Sequence, residues 1–151
     1  MADSPGTGWQ PTTPAMLHMV AGLTAPRLRA AFADAGLDGI RPAQAVVLVP
    51  LALGPLHASM LATHLGVTRQ AVAQAIRALE PHGYVTRHRD GADARTLLIE
   101  LTPRGRRALT VMRANALEIE ADWRRLLGEQ RLTELRDTLQ LLLTDSAQQP
   151  G

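Results

Sequence analysis

Two adjoining segments, LHASMLATHLGV over residues 56–67 and TRQAVAQAIRALEPHGYV over residues 68–85, constrain the fold more than any other part of the chain. The first has the apolar spacing of a short helix and stops at Gly66, a residue suited to the left-handed end of a helix. The second opens on Thr68, a good N-cap type, and ends near Pro81 to Gly83. Only a tight turn separates them, so the pattern predicts a helix-turn-helix whose second helix is the recognition helix. With Arg69 at zero and about 100° per residue, Val72, Ile76 and Leu79 fall in one arc with Ala75 at its edge. Arg69, Gln70, Ala73, Gln74 and Arg77 fill the opposite arc. One face packs, and the other carries groups that match the major-groove edges of guanine and adenine, with Ala73 small enough for close approach. Thr68 caps the helix and can reach a phosphate together with the free backbone N–H groups. Arginine and glutamine are also ordinary surface residues of helices, so this face needs a second signal.

The second signal follows directly. YVTRHRD and TLLIEL flank the polar loop DGADAR and predict a two-stranded hairpin, a wing beside the recognition helix. Arg87 and Arg89 lie two residues apart on one strand face. At the tip, the step from Asp93 to Arg95 lets the carboxylate orient the guanidinium, and an arginine held there suits a narrow minor groove. The alternative is a plain surface salt bridge, which stabilises by at most about 1 kcal/mol.

Helices are predicted on both sides of this lobe. Thr13 and Pro14 give an N-cap and first-turn signature for a helix to about Ala35, closed by Gly36, with Pro26 leaving open whether it kinks or splits. A second helix is predicted from Pro42 to Leu53, closed by Gly54 and Pro55, with Pro50 threatening its last turn. Thr102 and Pro103 open a long helix to about Leu127, in which Leu109, Met112, Ala116, Ile119, Trp123 and Leu126 form a heptad seam. Leu132, Leu135, Leu139 and Leu142 repeat it. Such seams predict packing on a second copy of the chain, with a helical hairpin inside one chain as the alternative. The expected division is a flexible arm over 1–12, N-terminal helices over 13–54, the winged lobe over 55–102, dimerisation helices over 103–145 and a disordered tail over 146–151. The fold class is mainly α with a small β-hairpin wing.

Charge placement supports an anionic partner. The chain of 151 residues has a net charge of +2, yet residues 69–107 alone hold eight of its sixteen basic residues and four of its fourteen acidic ones. All sixteen are arginine, which suits bidentate phosphate and guanine contacts. Arg104, Arg106 and Arg107 stand in the first turns of a helix, where the macrodipole disfavours cations, so a DNA phosphate or a carboxylate is expected to face them. There is no apolar run of the ~18 residues a membrane span needs, no secretory pattern at the start and no cysteine. These features predict a cytoplasmic, nucleoid-associated bacterial protein without membrane contact. No GxSxG, phosphate loop or nucleophile with an evident base is present, so no enzyme and no cofactor are expected. His18, His57, His64, His82 and His88 lack ligand spacing, so no metal site is expected.

The stretch LATHLGVTRQAVAQAIRALEPHGYVTRHRDGADARTLLIELTPRGRRAL resembles the MarR family core, with its LA..LGVT entry, LE..GYV.R exit, DxR wing and LT..G leading into a long helix. With the flanking helices, the resemblance spans about residues 13–145. It implies a winged helix-turn-helix in each subunit of a homodimer joined by the terminal helices. It also implies a palindromic duplex operator and repression released by a small aromatic or phenolic acid. The family's ligand crevice, between the first, second and long helices, would draw on His18, Met19, Gln44 and Arg113. Gln74 stands where relatives often carry arginine, and Ala94 where a basic residue is frequent, which leaves the operator open. Without cysteine, thiol-based sensing is excluded. A winged helix used as a protein-interaction module and an unselective DNA-binding protein are the competing readings.

Overall fold

The computed structural model describes residues 10–148. Helix α1 runs from Thr13 to Asp34. It is followed by a single α-turn, α2 (Pro42–Ala45), and two 3-10 turns, Val46–Leu48 and Pro50–Leu53. Strand β1 (Leu56–His57) leads into α3 (Ala58–Leu65) and α4 (Arg69–Leu79). Strands β2 (Val85–Arg89) and β3 (Leu97–Leu101) then precede α5 (Pro103–Leu127) and α6 (Glu129–Gln148).

The predicted helix over 42–53 is the largest departure at element level. Pro50 has no N–H to return to Val46, and its ring disfavours an α continuation through Val49. The chain tightens instead, and Val49 N donates to Val46 O at 3.2 Å in a 3-10 bond. Pro26 has the milder outcome, because α1 continues through it. The carbonyl that loses its partner belongs to Gly22, which is exposed, so water can take the place of the missing donor. The start of α1 also differs by one residue. Thr12, not Thr13, occupies the N-cap, without a side-chain capping bond. At the other end α6 continues through Gln148, since no helix breaker occurs before Pro150, so residues 146–148 of the expected tail are helical. The remainder of that tail, and residues 1–9 of the expected arm, lie outside the described residues.

The wing belongs to a three-stranded antiparallel sheet of order β1-β3-β2. Leu56 pairs with Ile99 and His57 with Leu98, so the segment entering the helix-turn-helix is hydrogen-bonded to the wing. Two residues are too short for an alternating pattern, which is why β1 is not legible in the sequence. Val85 faces Leu101, and Arg89 faces Leu97 at the outer end. The core gathers Phe32 and Leu37 from the α1 end, Leu48 and Leu51 from the 3-10 turns, Leu61 from α3, Val72 and Leu79 from α4, Tyr84 from the turn before β2 and Val85 from β2, all essentially without exposure. Most of α1 lies beyond that core, with Met16, Leu17, Met19, Val20 and Leu23 exposed. No described helix is long and apolar enough to cross a membrane.

Candidate nucleic-acid interface

Helix α4 is built as its spacing predicts. Val72, Ala75, Ile76 and Leu79 are buried, whereas Arg69, Gln70, Gln74 and Arg77 are exposed and Ala73 is half-buried. Thr68 Oγ1 accepts from Ala71 N at 3.1 Å, satisfying one free donor of the first turn. Gly66 takes the left-handed conformation, φ 63°, that ends α3 and turns the chain into α4. The two helices therefore meet at a fixed angle, with the polar arc of α4 turned to solvent.

The wing stands beside α4 on a brace that sequence reasoning did not find. Arg87 Nε and NH2 donate to Glu80 Oε1 and Oε2 at 3.1 and 2.6 Å, a bidentate pair between β2 and the end of α4. That hydrogen bond, with the nearby charge of Glu80, raises the guanidinium's already high pKa. Both residues belong to the LE..GYV.R motif, so an acid and an arginine flanking one tight turn were the available signal. Arg89 NH1 donates to Ala94 O at 2.6 Å, which folds the wing loop back on its own strand. At the wing base the His57 ring sits between two acceptors, with Nε2 3.0 Å from Asp90 Oδ2 and Nδ1 3.2 Å from Leu97 O.

Asp93 does something other than orient a guanidinium. Its Oδ1 accepts the backbone N–H of Arg95 at 3.0 Å and its carbonyl accepts Thr96 N and Oγ1, both at 3.0 Å. A short acceptor side chain satisfies the backbone two residues on more readily than it reaches a long flexible side chain. The tip is thus fixed by its backbone, and the exposed Arg95 side chain forms no ion pair among the described residues.

Of the three arginines at the start of α5, Arg104 and Arg107 find protein partners, whereas Arg106 is exposed and forms no ion pair among the described residues. Arg104 pairs with Asp38, and its guanidinium carbon lies 4.9 Å from the centroid of the Tyr84 ring. Tyr84, fully buried, donates its hydroxyl to Asp38 O at 2.6 Å. Burial pushes its phenol above the ordinary tyrosine pKa, partly opposed by the charge and hydrogen bond of Arg104. Arg107 NH2 donates to Ala35 O at 2.7 Å, a carbonyl at the negative end of α1. The carboxylate and carbonyl partners of Arg104 and Arg107 are intramolecular, so these two residues lock α5 to the lobe. Gly105 allows the close approach, since a Cβ there would fall 2.1 Å from Tyr84 O.

The arginines thus separate into two groups. Those at 87, 89, 104 and 107 are committed to holding the lobe together. Those at 69, 77, 95 and 106 are exposed and have no described carboxylate against them. The four candidate ligand residues do not share one cleft. Gln44 lines a hollow between α2 and α4, Arg113 lines a separate one with Thr24 and Trp123, and His18 and Met19 stand exposed on α1 and line neither. No group of three or more metal-ligating side chains converges among the described residues.

Residues 38–96 match the profile of the MarR family. A probable transcriptional regulator from Pseudomonas aeruginosa is similar in structure, with 28% identity, a TM-score of 0.65, and 83% of this chain and 96% of that one covered. A MarR transcriptional regulator from Methanosarcina mazei Go1 superposes with a TM-score of 0.73 at 21% identity, covering 86% of this chain and 92% of that one. A MarR-family regulator from Rhodococcus sp. RHA1 does so with a TM-score of 0.69 at 23% identity, covering 85% and 90%. No curated protein sequence matches this chain.

Proposed function

We propose, from the match of residues 38–96 to the MarR family profile, that the protein is a sequence-specific, DNA-binding transcriptional regulator. It acts as a homodimer on a palindromic operator and represses until a small aromatic or phenolic acid releases it. The observation that carries the reading is the outward arc of α4. It presents Arg69, Gln70, Gln74 and Arg77 to solvent, with no described carboxylate against either arginine and no exposed leucine or aromatic among them. A protein-docking helix would place apolar anchors there. In this reading Gln70 and Gln74 read adenine edges, Arg69 and Arg77 read guanine or flanking phosphate, and Arg95 reaches the minor groove. Thr68 and Ala73 allow the helix to approach closely, while Arg87, Arg89 and Asp93 hold the wing in register.

The dimer is supported by apolar surface that one chain leaves uncovered. Leu23 of α1 is 77% exposed, Leu126 of α5 80%, and Leu141 and Leu143 of α6 are exposed as well. Soluble monomers rarely leave this much apolar side chain in water. The effector half of the reading rests on Arg113, which with Trp123 and Leu117 lines an open hollow of about 480 Å3 on the α5 side; the one described carboxylate in its wall, Glu120, is paired with Arg136.

Selection of binding duplexes from a random pool tests the reading. The wild-type protein should enrich one palindromic motif, and Gln74→Ala should relax preference at particular base pairs by about 1–3 kcal/mol per lost bidentate contact. Enrichment of no motif would identify an unselective binder. An unchanged motif with Gln74→Ala would move the reading face off α4.

A further inference from the structure

A cleft of about 520 Å3 opens between α2 and the C-terminal end of α4, and Arg41, Gln44, Arg77, Pro81 and His82 form most of its wall. Its charged lining side chains are donors only. Guanidinium groups only donate, and Arg41 and Arg77 supply two of them. Gln44 Oε1 accepts from Arg41 N at 3.3 Å, which leaves the NH2 of the amide as its unengaged end. His82 lies so close over the loop that a Cβ on Gly39 would fall 2.2 Å from its ring, so only glycine admits it there.

Among the described residues, no carboxylate lines the cleft. The two acids nearest in sequence, Asp38 and Glu80, are held by Arg104 and Arg87. Neither Arg41 nor Arg77 forms an ion pair among the described residues. The same ion pairs that brace the wing and lock α5 therefore leave this concavity positive and unneutralised. Planar guanidinium forks match oxyanions of phosphorus or carbon, taking two oxygens at once.

We propose that this cleft is a seat for a phosphodiester oxyanion of the DNA backbone, held by Arg41 with Gln44 and His82. The inference rests on the DNA-binding reading above. Arg77 belongs both to the cleft and to the outward arc of α4, so a duplex read by Gln70 and Gln74 carries its flanking backbone along this edge. A seat of this kind contributes affinity and register but no sequence preference. A free inorganic phosphate offers the same oxygens, so the test separates the two sources.

The duplex enriched by the wild-type protein is titrated with wild type, Arg41→Gln and Arg41→Lys over a range of salt concentrations. Arg41 is exposed and carries no ion pair, so neither substitution threatens the fold. Each lost phosphate contact lowers the slope of log K against log salt by about 0.9, so Arg41→Gln in a two-fold dimer should lower it by about two. Affinity for the selected and for a scrambled duplex should fall by the same factor, and Arg41→Lys should retain the wild-type slope. In parallel, inorganic phosphate is titrated into the free protein while the Gln44 amide and His82 ring resonances are followed. An Arg41→Gln slope equal to wild type overturns the seat on DNA. If phosphate then moves those resonances, the cleft serves a free anion instead. Failure of the wild-type protein to enrich any duplex overturns the DNA-binding reading and the seat with it, whereas enrichment with an unaffected Arg41→Gln overturns the seat alone.

Discussion

Gly105 and Tyr84 show how single residues hold α5 against the winged lobe. Gly105 brings the first turn of α5 against the Tyr84 carbonyl, and its N–H is capped by Thr102 Oγ1 at 3.0 Å. Gly105→Ala puts a methyl group 2.1 Å from a backbone oxygen that sits between Gly83 and β2 and has little room to move. A loss of about 1–3 kcal/mol is expected, read as a lower denaturant midpoint; an unchanged midpoint would show that the strand yields freely. Tyr84 makes a second test possible because it is the single tyrosine of the chain. Its phenol ionises above the ordinary value of 10.0 in the fold, chiefly because it is buried. The unfolded chain therefore loses its proton first. The stabilising contribution is complete below pH 10 and is lost as pH rises through the folded value. Phenolate absorbance should thus appear later in the folded protein than in denaturant, together with alkaline loss of stability. Identical titrations in both states would contradict the buried Tyr84–Asp38 contact. The motif positions Gly105, Thr102 and Tyr84 were visible in the sequence, but their reason was not, because it lies in a contact so close that a Cβ on Gly105 would fall 2.1 Å from Tyr84 O, between segments that sequence alone cannot juxtapose.

At the scale of elements, α4 was legible in full, since its burial follows one period of about 3.6 residues and its ends carry Thr68 and the Pro81 to Gly83 turn. The wing was legible as two strands but not as three, because β1 has only Leu56 and His57. The tip was misread in its chemistry, as Asp93 serves the Arg95 backbone and not its side chain. The relation of wing to recognition helix lay outside reach, since it depends on Glu80 and Arg87 meeting across the turn. That pair is partly exposed, so Glu80→Gln should change global stability by less than about 1 kcal/mol. Local order should respond more strongly. Amide exchange over Arg87 to Arg89 is expected to speed several-fold in Glu80→Gln at an unchanged melting temperature, as the end of β2 loses its tie to α4. Exchange equal to wild type would mean the sheet holds the wing without that brace.

For the molecule as a whole, one chain carries both an exposed polar arc on α4, with Arg69, Gln70, Gln74 and Arg77, and uncovered leucines on α1, α5 and α6. The lobe that joins Phe32, Leu48, Leu61, Val72 and Tyr84 in one core presents α4 outward. Beyond it α1, α5 and α6 carry leucines that have no cover in a single copy. The heptad seams predict packing on a second copy, with a hairpin inside one chain as the alternative. Ile119 and Leu132 are buried within the chain, while Leu126 remains exposed. A two-fold pair would set two α4 helices about 34 Å apart, one turn of duplex or about ten base pairs. The direct measurement is equilibrium binding to the selected duplex, compared with the same duplex carrying five added base pairs at its centre and with one carrying them outside both half-sites. The account predicts that the central insertion, which turns one half-site by about half a revolution, abolishes dimer binding while the outer insertion leaves it intact. Equal affinity for all three duplexes would contradict a two-fold regulator that reads DNA through α4.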